Sequence, residues 1–364
     1  MFGGYSVEHE VSVISARGVA SAMAQTAMVC VPLGVTGQGE WLAPDSAGEI
    51  LAGTAPRVEV PQPDNGERIV LQPGGGGLML FRPGREHQPL SIDVLFPLVH
   101  GWGGEDGRLQ GALELAGTPY VGAGVAGSSL AMDKQIARQI LHANGLDVTP
   151  GRALTRAAFD RDVAEAAVER LLAELGLPLF VKPANGGSSV GIHRVARAEA
   201  LREALEDAFQ YDRKLVVEQG VAAREIECAV LGNDEPEASG LGEIVPQREF
   251  YDYAAKYEED STRLDIPALL DDATTQRIRR RAIRAFEALD LCGFARIDFL
   301  LERTSGRIYV NEANTLPGFT PISMFPKLWE AAGLDYPRLI ERLVELARER
   351  FNQQGRRRAR RTVE

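Results

Sequence analysis

The chain has 364 residues, 45% of them hydrophobic, and a formal charge of −11. That length and apolar content suffice for two or three packed domains, and the negative charge argues against general binding to nucleic acid. No run approaches the roughly 20 uninterrupted apolar residues of a membrane helix. The opening MFGGYSVEHE also lacks the basic-then-apolar pattern of a signal peptide, so a cytoplasmic protein with no membrane contact is expected. Cys30, Cys228 and Cys292 are distant in sequence and odd in number, which suits reduced, buried thiols rather than disulfides or zinc.

Strand-like apolar runs alternate with helical patterns along the chain, the mark of an α/β protein. The first unit, residues 1–125, opens directly on FGG. No apolar run precedes it, although a doubly wound unit is expected to have a strand feeding this glycine turn, so the expectation is either that the true start lies upstream or that the sheet lacks a strand. A helix is predicted from about Glu8. The Pro73 to Gly77 stretch is a turn-dense insert and no phosphate loop, because no Lys-Ser or Lys-Thr follows it. DVLFPLVHG, from Asp93, is predicted as a strand, and GRLQGALELAG, from Gly107, as a helix.

The second unit, residues 126–218, starts with the predicted helix AMDKQIARQILHANG, with Ile136, Ile140 and Leu141 on one face and Gly145 as its stop. It closes on the strand KLVVE. The third unit, residues 219–351, holds the strands REIECAVLG and GFARIDFLL, a helix from about Ala273 to Leu291 and a terminal helix from Pro337. Residues 352–364 read as a basic, disordered tail.

Three segments concentrate polar chemistry. In PLFVKPANGGSSVGI a strand containing Lys182 runs into a Gly-Gly-Ser-Ser loop and a second short strand. Glycines admit backbone amides close to an anion, hydroxyls add donors and Lys182 adds charge, so the hairpin could cover a triphosphate or be a plain surface turn. In IDFLLERTSGRIYVNEAN, Glu312 and Asn314 are two apart on one strand and share a face, and antiparallel pairing can set Asp298 beside them. That all-oxygen set suits magnesium and not zinc. Arg296 should point the same way as Asp298, either toward charge developing on a reacting oxygen or into a simple ion pair. HGWGGEDGRLQG joins a strand end to a helix start, where open α/β sheets bind ligands, and His100 there is a structural residue or a ligand-facing one. Glu8 follows the glycine turn as a first-turn carboxylate or an ammonium ligand. The Walker A pattern is absent, and the Ser-Ser loop has no nearby histidine base apart from His193, which argues against a serine hydrolase.

FGGYSVEHEVSVISA, HGWGGEDGRLQGALELAGTPYVG, MDK, PLFVKPANGGSSVGI, VVEQGVAAREIECAVLG, FYDYAAKYEED, GFARIDF and VNEANTLPGFTPISMFP occur in this order over nearly the whole chain. Together they resemble the D-alanine–D-alanine ligases. The resemblance implies an ATP-grasp fold of three α/β domains, the first doubly wound and the other two clasping ATP between them.

It further implies that Lys134 and Lys182 contact phosphates, that the loop with Ser188 and Ser189 closes over them, and that Glu218 and Glu225 face the adenosine. Asp298, Glu312 and Asn314 are implied as ligands of two magnesium or manganese ions. Glu8 is implied to hold the first D-alanine's ammonium near His100, with a Glu8–Ser188–Tyr257 linkage fastening a loop. Arg296 and the Gly318 amide are implied to stabilise the oxyanion, and Ser323 and Lys256 to bind the second carboxylate. The tyrosine at 257 favours an amine as second nucleophile, hence D-alanine over D-lactate. A ligase using D-serine or D-lactate would share every ATP and metal residue, and a non-catalytic nucleotide-binding relative would have lost several. A homodimer is expected from the family's habit.

Overall fold

The computed structural model describes residues 1–53, 59–62, 66–161, 164–187, 190–246, 262–320 and 322–355. Ser188, Ser189, Lys256, Tyr257 and the basic run from Arg356 lie outside the described residues.

The chain begins with β1 (Phe2–Gly3), α1 (His9–Met23), β2 (Gly34–Val35), β3 (Trp41–Leu42) and α2 (Pro44–Leu51). It continues through β4 (Arg68–Gln72), β5 (Gly77–Phe81), β6 (Gln88–Leu90) and α3 (Arg108–Ala116). A leading strand is therefore present, though only two residues long. It pairs parallel with β2, and parallel bridges Phe2 to Leu98 and Leu95 to Tyr120 continue the doubly wound arrangement. With so short a partner, and Pro97 lacking a backbone donor, DVLFPLVHG forms these isolated bridges instead of the predicted continuous strand. The insert is a hairpin: β4 and β5 pair antiparallel from Arg68–Phe81 to Gln72–Gly77, with Pro73 to Gly76 as its turn.

Next come α4 (Val125–Met132), α5 (Lys134–Ala143), β7 (Gly151–Thr155), α6 (Arg156–Arg161), α7 (Ala164–Leu175), β8 (Leu179–Pro183), β9 (His193–Val195), α8 (Leu201–Ala208) and β10 (Lys214–Gln219). The helix predicted over AMDKQIARQILHANG is thus two helices broken at Asp133. This residue has extended backbone and accepts hydrogen bonds from the Gln135 and Ile136 amides, so a good N-cap outcompetes helix continuation. Its buried face is Ala137, Arg138 and Leu141, whereas Ile136 is 37% exposed. The order β7-β10-β8-β9 makes an antiparallel sheet.

The last sheet, β13-β12-β11-β14-β15, contains β11 (Ala223–Gly232), β12 (Glu237–Pro246), β13 (Thr262–Asp265), β14 (Gly293–Glu302) and β15 (Ile308–Asn314). α9 (Asp272–Ala288), α10 (Met324–Ala331) and α11 (Tyr336–Gly355) pack around it. One apolar core joins Phe2, Val13 and Leu98 to Phe294, Phe319 and Leu343, so the first and last sheets share their interior. Among the described residues the cysteines are unbridged; Cys228 is buried, but Cys30, on the connection into β2, is exposed, contrary to the expectation of three buried thiols.

Arg350 of α11 locks this shared interior. Only 9% exposed, it donates to the carbonyls of Gly122 at 2.5 Å and Tyr120 at 3.1 Å, and its guanidinium sits 4.3 Å from the Tyr120 ring centroid. Arg350→Ala removes the guanidinium donor from both carbonyls, leaving Gly122 the weak Cys292 thiol contact at 3.8 Å, and should lower stability by about 3 kcal/mol. Urea unfolding reads this directly, and an unchanged midpoint would remove the clamp role.

Candidate active site

A cavity of about 990 Å³ opens between the three sheets, with Glu8, His100, Lys134, Lys182, Glu218 and Glu225 on its walls together with Arg296, Asp298, Glu312, Asn314, Gly318 and Ser323. Every described residue singled out in the sequence therefore borders one space.

The β14–β15 ladder sets its acidic wall. Asp298 faces Glu312 and Arg296 faces Asn314 in register, while Glu227 of β11 pairs with Asp298 from the other side. A β-bulge between Asp298 and Phe299 inserts Asn311, which accepts from the Lys182 ammonium at 3.4 Å. Arg296 forks onto both oxygens of Asp298 at 2.7 Å and lies 3.0 Å from Glu227. Burial alone would depress its pKa, but Asp298 and Glu227 outweigh that and keep it firmly charged. The two readings of Arg296 thus converge in a buried ion pair on the cavity wall.

Among the described residues no three His, Cys, Asp or Glu side chains form a ready metal cage. Asp298, Glu312 and Asn314 nevertheless offer the all-oxygen donors that magnesium prefers, and that ion commonly takes only one or two protein carboxylates plus substrate phosphates. The donor type fits, and a cation held there would add to the compensation that Arg296 gives Asp298.

Opposite lies a basic cluster around Glu218. Its carboxylate is 3% exposed and meets Lys182 at 3.1 Å, Arg138 at 3.1 Å and the Thr149 hydroxyl at 3.0 Å. Burial pushes its pKa up, but the Lys182 and Arg138 charges prevail and hold it below the usual range. Lys134 donates from its ammonium to the Gly186 carbonyl at 2.6 Å, tying the helix start to the glycine-rich loop.

Glu8 precedes α1 and is buried where the first sheet meets that loop. A Cβ at Gly101 would stand 2.6 Å from a Glu8 carboxylate oxygen, and one at Gly187 would stand 2.9 Å away, so both glycines are needed for this approach. His100 is 3% exposed with both ring nitrogens engaged. Nδ1 lies 3.1 Å from the Leu316 carbonyl, an acceptor only, so Nδ1 carries the hydrogen and Nε2 accepts from the Ser15 hydroxyl at 3.2 Å. The Ser15 oxygen in turn accepts from the Phe319 amide at 3.3 Å, so this pair grips both sides of Pro317–Gly318. Ser323 Oγ accepts from the Thr320 amide at 3.0 Å and a Cβ on Gly318 would lie 2.7 Å from it.

Two chain-length relatives decide the family. Residues 1–123 match the D-ala D-ala ligase N-terminus family and residues 140–345 the D-ala D-ala ligase C-terminus family. The D-alanine--D-alanine ligase A of Chromobacterium violaceum is 49% identical over 96% of this chain and 94% of its own length. The D-alanine--D-alanine ligase of Bacillus cytotoxicus is 44% identical over 97% and 96%. The chain belongs to the D-alanine–D-alanine ligase family. It is an ATP-dependent ligase of the ATP-grasp fold. Among solved structures, the VanG D-Ala:D-Ser ligase from Enterococcus faecalis superposes with TM-score 0.82 at 34% identity, covering 95% of this chain and 97% of that one. The D-alanine-D-alanine ligase from Coxiella burnetii gives 0.79 at 35% identity, covering 97% and 94%.

Sequence reasoning passed over several cavity-wall residues of this family member. Glu227 is two positions beyond Glu225 on one strand, so period-two alternation pointed to it. Asn311 was hidden by the bulge. Glu105, inside the glycine turn, accepts from the Gly101 amide at 2.6 Å; burial and the Glu8 charge raise its pKa well above the usual carboxylate range. An acid between glycines at a helix entrance was the available signal.

His100 also predicts a pH effect. Burial lowers its pKa below the ordinary 6.5, against an opposing pull from Glu8. The unfolded chain then binds a proton that the folded one refuses, so stability is full above about pH 6.5 and falls as the pH drops toward 5. Glu105 also faces this ring, 3.9 Å from Nδ1. His100→Gln should flatten the unfolding midpoint between pH 7 and 5; a slope identical to that of the parent chain would contradict the assignment.

Proposed function

We propose that this chain joins two D-alanine molecules into D-alanyl-D-alanine, consuming ATP, for bacterial peptidoglycan. The observation that supports it best is the meeting, in one cavity, of the Lys134 and Lys182 ammoniums, the Asp298–Glu312–Asn314 oxygens and Glu8. We retain the division into 1–125, 126–218 and 219–351, with ATP between the second and third units, a cytoplasmic location and a homodimer. No helix among the described residues is long and apolar enough to cross a membrane.

In this reading Lys134 and Lys182 bind phosphates, with Ser188 and Ser189 in the covering loop, and Glu218 and Glu225 face the adenosine. Glu8 binds the ammonium of the first D-alanine beside His100 and is linked through Ser188 to Tyr257. The carboxylate oxygen of that first D-alanine attacks the γ-phosphorus and ADP leaves, giving D-alanyl phosphate. The amine of the second D-alanine, its carboxylate held by Ser323 and Lys256, then attacks the carbonyl carbon and phosphate departs. Arg296 and the Gly318 amide stabilise the oxyanion between these events. Asp298, Glu312 and Asn314 would hold two magnesium or manganese ions, which supply charge neutralisation on the transferring phosphoryl group.

The VanG D-Ala:D-Ser ligase shares this fold, so in this reading the second-substrate pocket, not the architecture, distinguishes the two specificities, and Tyr257 favours an amine over D-lactate. Phosphate release should occur with ATP, magnesium and D-alanine alone and yield the dipeptide by mass. Silence with D-alanine alone but product with D-serine or D-lactate added would transfer the chain to the other specificity.

A further inference from the structure

The glycine-rich loop leaves β8 at Ala184 and returns into β9 past Gly191, and both ends rest on the turn at residues 211–214 that precedes β10. At the departing end, Asp212 Oδ2 accepts from the Asn185 backbone N–H at 2.8 Å and from Asn185 Nδ2 at 2.9 Å. Asp212 Oδ1 accepts from the Lys214 amide at 3.1 Å, so its own turn fixes the carboxylate. At the returning end Gly191 has φ +70° and lies so close to Tyr211 that a Cβ there would stand 2.5 Å from the ring. Across from Asp212, the Ala184 amide donates to the Lys214 carbonyl at 2.9 Å and the Lys134 amide to the Ala184 carbonyl at 2.9 Å. Lys214 pairs with Asp133, the cap of the helix that starts at Lys134.

We propose that Asp212 is a positioning residue for the nucleotide's phosphates: by clamping Asn185 it fixes where the glycine-rich loop leaves the sheet. It touches no substrate atom. The inference rests on the reading that phosphates lie under this loop. A glycine-rich segment loses much backbone freedom when it orders over a ligand, and anchoring its ends beforehand reduces that loss. Bonds to a carboxylate are the strong class of hydrogen bond, which suits an anchor.

The sign of the effect separates this role from plain electrostatics. A carboxylate near a polyphosphate site repels the ligand, so removing its charge should tighten binding if charge alone mattered. Positioning demands the opposite.

The test measures binding of Mg-ADP and of adenosine to the full chain by calorimetry, for the parent and for Asp212→Ala, Asp212→Asn and Asn185→Ala. Asp212→Ala should weaken Mg-ADP about tenfold and leave adenosine within about twofold, because adenosine has no phosphate to cover. Asp212→Asn should fall between, its amide oxygen still able to accept from the Asn185 N–H. Asn185→Ala should lose about threefold, since the backbone bond survives. Unchanged or tighter Mg-ADP binding in the Asp212 variants overturns the proposal, as does an equal loss for adenosine and Mg-ADP. Should Asp212→Ala fail to fold, the two milder variants make the same comparison. A parent chain that binds adenosine but not Mg-ADP would instead overturn the reading of the loop itself.

Discussion

Glu312→Gln is expected to reduce ligation roughly a thousandfold or more while leaving the protein folded, a loss of about 4 kcal/mol in transition-state stabilisation. The reason is local. Glu312 stands in register with Asp298, which is itself opposite Glu227, so three carboxylates line one row across three strands. Such a row tolerates its mutual repulsion because Arg296 sits within it, and a bound cation would add to that compensation. Glutamine keeps the shape and one oxygen donor but removes a full charge. Without divalent ions the variant should unfold at or slightly above the parent's midpoint, since a source of repulsion has gone. Adding magnesium should stabilise the parent and not the variant. Turnover near the parent's level would remove Glu312 from the reaction.

Arg296→Met should behave in the opposite way toward stability. Its guanidinium compensates Asp298 and Glu227 together, at 2.7 and 3.0 Å. Replacing it leaves two buried acids facing each other, and breaking a buried pair in this manner costs about 3–5 kcal/mol. Ligation should also fall by roughly 10²–10³, the usual effect of deleting one oxyanion donor. Magnesium should restore part of the lost stability, since it can take over the compensation of Asp298. Paired measurements on the two variants therefore separate the cation's role from the arginine's. A methionine variant as stable as the parent in the absence of magnesium would contradict the ion-pair account.

The parts of the site legible in the sequence were those set by local periodicity. Glu312 and Asn314 alternate on one strand and Asp298 lies across a short turn, so spacing alone brought these three together, whereas Lys182, before a glycine run, joined them only through the family resemblance. The hairpin of β8 and β9, α9 and the terminal helix α11 followed from the same logic. What was not legible depended on distant partners. Glu218 is held by Lys182 from 36 positions away and by Thr149 from 69 positions away, and no local pattern connects them. Asn311 reaches Lys182 only because a bulge shifts the register. The break at Asp133 was missed because a single capping residue reversed an otherwise continuous helical pattern. His100 looked ambiguous for a similar reason: its partners, Ser15 and Leu316, come from opposite ends of the chain.

The most direct test of the account follows oxygen atoms. D-alanine labelled with ¹⁸O in both carboxylate oxygens is supplied with unlabelled ATP and magnesium, and the products are analysed by mass. Attack of the carboxylate on the γ-phosphorus, followed by loss of phosphate to the second amine, moves one labelled oxygen into the released phosphate and leaves one in the peptide carbonyl. The account predicts D-alanyl-D-alanine accompanied by phosphate bearing a single ¹⁸O. Unlabelled phosphate, with or without dipeptide, would contradict it.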